Sequence, residues 1–129
     1  MATNVEVVNN LMHCYRTMDA DAIAPLLHEQ AKHTAPGSDF GADMTGRTTI
    51  SDYFRKNVFS SFDKVDFEVV HLWEDPGKNV VVVEWRSHLW PKTGKNYSNT
   101  GAFVIEFRDG QIYWVREYFD TEKAHQNVN

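Results

Sequence analysis

Gly101-Ala102-Phe103-Val104-Ile105-Glu106-Phe107-Arg108-Asp109-Gly110-Gln111-Ile112-Tyr113-Trp114-Val115-Arg116-Glu117-Tyr118-Phe119 reads as two strands folded back on each other. Asp-Gly is a strong two-residue hairpin signal, because the turn that matches strand twist needs positive φ at both positions. Both arms are rich in β-branched and aromatic residues, which fit a pleated, half-buried surface. Upstream, residues 79–90 form another strand, and residues 96–108 and 111–120 bound the hairpin arms. Val65, Phe67, Val69, His71 and Trp73 alternate with polar residues until Asp75-Pro76-Gly77 ends the run.

The first half has a different period. Val5, Val8, Leu11, Met12 and Tyr15 recur at helical spacing, predicting an amphipathic helix over 4–18. A second short helix starts near Asp19-Ala20-Asp21, with Pro25 tolerable only in its first turn. Ala31 to Ala35 is extended and is ended by Pro36-Gly37. A loop with room for one short strand runs to Gly46, and a third helix covers 48–58. Helices followed by an antiparallel meander make an α+β fold, a curved sheet with about three N-terminal helices on one face. Residues 1–129 read as a single domain, with no repeat or linker.

Composition narrows the function. Hydrophobic residues are 42% and charged residues 24% of the chain, as in a soluble globular protein. The net charge of −5 and the scattered Lys and Arg argue against nucleic acid as a partner. No basic amphipathic helix points to a membrane surface, and Val80 to Val83, the longest apolar run, cannot span one. Residues Met1 to Glu6 lack the pattern of a secretory leader, and lone Cys14 allows no internal disulfide. A cytoplasmic protein is expected. Six histidines show no metal-ligand spacing, so no metal is expected.

The chemistry centres on Glu117. A two-residue loop predicts Phe107 opposite Ile112, Val104 opposite Val115 and Ala102 opposite Glu117. Glu117 then shares a face with Ala102, Val104, Val115 and Phe119, and a carboxylate among apolar neighbours is costly unless paired or protonated. The preceding strand separates Val81, Val83, Trp85, Ser87 and Leu89 from Val82, Glu84, Arg86 and His88. A two-residue Thr93-Gly94 turn puts Arg86 opposite Gly101, away from Glu117. A three-residue turn centred on Gly94 instead joins Glu84, Arg86 and Glu117 in one cluster across Ala102. Alternation alone favours a solvated face carrying weak ion pairs.

The stretches Thr93 to Asn99, Gly101 to Phe107 and Asp109 to Ile112, with Arg116-Glu117-Tyr118-Phe119-Asp120, resemble the C-terminal half of limonene-1,2-epoxide hydrolases. More broadly they resemble SnoaL-like members of the nuclear transport factor 2-like superfamily. Asp19, Ile23, Leu27, Ala31, Pro36, Gly46, Arg47 and Ile50 extend the likeness loosely into the first half. The resemblance implies a cone-shaped curved sheet enclosing a pocket. It places the family's final-strand acid on Glu117, and its Arg and other acid near Glu84 and Arg86 with the charge order reversed. The family's Tyr and Asn fall near His33 and Ala35, and Ala35 offers no side-chain hydrogen bond. Against ketosteroid isomerases, Ala35 stands where a base is needed, Leu11 where a Tyr is needed and Phe103 near a third acid. Phenazine-biosynthesis relatives carry a similar Arg-Glu on the last strand.

Together these features predict an acid/base enzyme acting on a hydrophobic metabolite such as a terpenoid or polyketide. Epoxide opening, isomerisation, cyclisation and dehydration all need a proton donor and acceptor but no cofactor. Glu117, Arg86, Glu84 and His33 are the expected catalytic group, with His33 able to titrate near neutral pH. Tyr53, His88, Ala102, Val104, Val115 and Phe119 are the expected substrate contacts, and Trp90 could stand at the mouth. The alternatives are a small-ligand-binding or dimerisation module of the same fold, and a scaffold whose pocket is filled. If the polar face of the second strand points inward, Val81, Val83, Trp85 and Leu89 need covering, and a homodimer follows.

Overall fold

The computed structural model describes residues 2–38 and 43–126. Helix α1, Asn4–Thr17, is capped by Thr3, whose side chain accepts from the Glu6 N–H at 3.1 Å. Its apolar stripe of Val7, Val8, Leu11, Met12 and Tyr15 is buried, each large side chain contributing roughly 1.5–3 kcal/mol of transfer free energy. Asp19 caps α2, Ala20–Ile23, and Pro25 opens the 3₁₀ turn Ala24–Leu26 that follows. The extended stretch is longer than expected: β1 runs Leu27–Thr34. The short strand allowed for in the loop is β2, Asp43–Thr45. Residues 39–42 of that loop lie outside the described residues. Helix α3, Arg47–Tyr53, continues through a π-helical turn, Phe54–Val58, and a 3₁₀ turn, Phe59–Ser61.

Four long strands follow: β3, Phe62–Asp75; β4, Val80–Pro91; β5, Tyr97–Arg108; and β6, Gln111–Phe119. A terminal helix, α4 (Thr121–Gln126), was not foreseen by the periodicity. The sheet order is β2-β1-β6-β5-β4-β3, with β1 parallel to β6 and the other neighbours antiparallel. The curved sheet packs one face on the helices, and its core joins α1 to Val81, Val83, Trp85, Phe103, Ile105 and Val115. The α+β architecture is as expected.

Three local features change which side chains enter the core. The turn is the two-residue Asp109-Gly110 hairpin, with φ 55° and 77°. Three residues further on, however, Tyr113 is inserted as a β-bulge, so Ile105 faces Val115 and Phe103 faces Glu117. The register therefore slips by one, and a slip of one exchanges faces. The β4–β5 connection is also longer than either expected turn, because the last pair is Leu89 with Tyr97. Glu84 consequently faces Ala102 and Arg86 faces Thr100. Finally, a second bulge between Val69 and His71 turns His71 and Trp73 outward, leaving Trp73 54% exposed.

These pairings invert the expected cluster. Val81, Val83, Trp85 and Ser87 point inward and are buried, while Glu84 and Arg86 lie on the exposed outer face. The covering argument for a homodimer assumed that the polar face of β4 turned inward. It turns outward, and the helices of the same chain cover the apolar one.

Candidate active site

Inside the curve of the sheet lies a cavity of about 220 Å³, lined mostly by apolar side chains. Its walls come from α1 through Tyr15, from α3 and the π-helical turn through Tyr53 and Phe54, and from the inward faces of β3–β6. Ala124 of α4 closes one side. The volume lies below the roughly 300–1,000 Å³ usual for drug-sized ligands, so the space suits a small molecule.

Glu117 lines this cavity, and its Oε1 lies 3.0 Å from Nε2 of His33. The pair forms because parallel β1 and β6 set His33 beside Val115, one inward position before Glu117. His33 is 3% exposed and Glu117 23%, so the imidazole is the buried support and the carboxylate is the accessible member. The ring of Phe54 packs edge-on against His33, with centroids 5.5 Å apart. The separation is within the reach required for proton transfer between an acid/base pair.

Two phenols line the same cavity as the carboxylate. Burial pushes Tyr15 well above its ordinary pKa, and the charges of Glu117 and Cys14 push it further. Tyr53 is raised by burial first and by Glu117 second. Both therefore stay neutral near pH 7, able to donate a hydrogen bond to an oxygen that gains charge. The Tyr15 ring is held between Phe54, Phe67 and Phe103, with centroids 5.3, 5.6 and 5.8 Å away. At the other end of the cavity, Ser87 and Asn99 are paired across β4 and β5 and buried. Asn99 is anchored: its Nδ2 donates to the Asp120 carbonyl and its Oδ1 accepts from the Thr100 N–H.

Of the residues expected from sequence, Glu117, His33, Tyr53 and Phe119 come together at the cavity. Val115 is buried in the core rather than in the lining. Glu84, Arg86, His88, Ala102 and Val104 do not reach it, because the bulge and the long connection put them on the outer face. There Arg86 pairs with Glu68 at 3.4 Å, both mostly exposed. His88 meets Ser98 Oγ at 2.7 Å and stacks near Trp90, whose ring carries the Lys64 ammonium at 4.6 Å. Sequence reasoning missed Tyr15, Ser87, Asn99 and Tyr97. A polar-tipped Tyr on an aliphatic helix stripe, and a Ser on a buried strand face, were the available signals. Leu11, set against a family Tyr above, is core, and Tyr15 one turn later reaches the cavity.

The model of the SnoaL-like domain matches residues 8–115, most of the chain. The chain belongs to the SnoaL-like family. No curated protein matches it by sequence. Among solved structures, this SnoaL-like chain is similar to an LEH-like epoxide hydrolase of M. tuberculosis, at 18% identity and TM-score 0.76. That match covers 95% of this chain and 86% of the other. An NTF2-like protein of unknown function from Burkholderia pseudomallei matches at TM-score 0.86 and 16% identity, covering 100% and 99%. A candidate polyketide cyclase from Xanthomonas campestris matches at TM-score 0.84 and 18% identity, covering 98% and 96%. At these identities the likeness establishes the NTF2-like fold, and a fold hosts many chemistries.

Proposed function

We propose that this SnoaL-like protein is an acid/base enzyme that moves a proton on a small, largely apolar substrate, with Glu117 as the proton-transferring group. The observation that carries this reading is the Glu117–His33 pair, 3.0 Å apart, at the wall of a mostly apolar cavity. Glu117 Oε1 is occupied by His33, so Oε2 is the atom left to meet a substrate proton. His33 holds the carboxylate in place and can take up or return a proton through Nε2. Tyr15 and Tyr53, kept neutral by burial and by Glu117, supply donors for an oxygen that becomes negative when a neighbouring C–H is deprotonated or an epoxide C–O bond opens. For an epoxide the second reactant is water: Oε2 takes its proton as its oxygen bonds to the ring carbon, the ring C–O bond breaks, and the released oxygen takes up a proton. Epoxide opening and isomerisation or cyclisation of a carbonyl compound are the reactions that use this set most fully. Proteins of similar structure include an LEH-like epoxide hydrolase and a candidate polyketide cyclase, which is compatible with both.

The test is turnover of a panel of small epoxides and enolisable ketones by the wild type and by Glu117→Gln. The amide keeps the size of the side chain but cannot accept a proton, so the rate is expected to fall about a hundred- to ten-thousand-fold. Unchanged turnover by Glu117→Gln would remove the carboxylate from the mechanism. A wild type that binds members of the panel without converting any would make the domain a binding module.

A further inference from the structure

We propose that the ligand of this cavity carries a neutral oxygen, a hydroxyl or carbonyl, at the end remote from Glu117, and that Ser87 receives it. This rests on the acid/base reading of the cavity and extends it to the substrate's other end. Ser87 is 2% exposed and lines the cavity. Its hydroxyl makes no hydrogen bond with any described residue, yet it does not belong to the buried atoms sealed away without a partner. The cavity is therefore what its Oγ faces. A ligand that fills the cavity strips water from this hydroxyl, at a cost on the order of 1–3 kcal/mol unless an oxygen of the ligand bonds to it.

The neighbours determine what kind of group fits. Asn99, opposite Ser87, is held in place by its bonds to Asp120 and Thr100, which fix this part of the wall. Trp85, one inward position earlier on β4, has a buried Nε1 without a partner and lies over Gly101. Tyr97 stands one inward position beyond Asn99, its phenol raised by burial and hence neutral. No charged side chain lines this end, and Glu117 is the cavity's one ionisable carboxylate among the described lining residues. An ionised ligand group here would lose its hydration without a counter-charge, so the group is neutral. Glu117 faces Phe103, four residues from Asn99 along β5, about 13 Å at the backbone at ~3.3 Å per residue. The ligand is thus a two-ended molecule, with its reacting centre at one end and an oxygen at the other.

The experiment is calorimetric titration of two matched ketones, 4-isopropylcyclohexanone and 4-(2-hydroxypropan-2-yl)cyclohexanone, into wild type, Ser87→Ala, Ser87→Cys and Glu117→Gln. The two differ only in a hydroxyl remote from the carbonyl. In the wild type the hydroxylated ketone is expected to bind more tightly. In Ser87→Ala the ratio of the two Kd values should shift against it by about tenfold, because its hydroxyl is buried without a partner. Ser87→Cys keeps nearly the same volume with a weaker donor, so an intermediate ratio separates hydrogen bonding from repacking and carries the test if the alanine variant does not fold. Equal affinities in the wild type, no binding of either ketone, or a ratio unmoved in both Ser87 variants overturns the inference. Glu117→Gln should leave the ratio unchanged. If that variant retains full turnover while the ratio still depends on Ser87, the acid/base reading fails and the oxygen site stands.

Discussion

At the scale of single residues, Gly101 and Tyr15 each do something no other side chain could do in their place. A Cβ on Gly101 would overlap the Tyr118 carbonyl oxygen and the Trp85 ring, so the glycine is what lets the indole approach the β5 backbone. Gly101→Ala should cost about 2 kcal/mol or more through overpacking, read as a lower denaturant midpoint. Tyr15 shapes the response to pH. Its folded pKa is raised, so the stability linked to its proton is fully present below the unfolded value of about 10. Above that pH the unfolded chain binds fewer protons than the folded one, and stability falls as pH rises. Tyr53 acts in the same direction. Tyr15→Phe should flatten part of this alkaline loss, measured as urea midpoints between about pH 8 and pH 11.

At the scale of elements, the cavity depends on α4, a helix too short to hold itself. Asp120 caps it, accepting from the Lys123 N–H at 3.0 Å, while its backbone bonds to Asn99 and Thr100 tie the helix start to β5. Asp120→Ala removes only the side-chain cap, worth about 0.5–2 kcal/mol. Amide exchange should then accelerate in α4 while β4–β6 are unaffected, and ligands should leave faster because Ala124 closes the cavity. The Tyr113 bulge is the other decisive element. It is held by the Arg108 guanidinium 3.8 Å above the Tyr113 ring and by the edge-on contact with His28 at 5.5 Å. One extra residue there brings Glu117 inside.

At the scale of the whole molecule, the sheet divides the charges into two populations. Glu117 faces the mostly apolar cavity, whereas Glu84, Arg86 and Glu68 stand in solvent, where an ion pair contributes little. Glu84→Ala and Arg86→Ala should therefore change stability by no more than about 0.5 kcal/mol and leave turnover within about threefold. Parallel denaturation and rate measurements check this, and a large loss of rate would return the outer cluster to the mechanism.

His33 entered only through the family resemblance, whereas the helix-then-meander order, the Asp109-Gly110 turn and Glu117 as a carboxylate among apolar residues were legible in the residues themselves. They depend on local periodicity, on backbone preference and on the cost of a carboxylate among apolar residues, which neighbouring residues encode. The face that each strand buries was not legible. A bulge at Tyr113 and a connection through Trp90 to Asn96 each alter the register, and in a period of two a single step exchanges inside for outside. Only the packing of α1 and α3 against one side of the curved sheet settles that choice. That packing joins Glu117 to His33, brings Tyr15 and Ser87 into the cavity, and sends Arg86 to the surface.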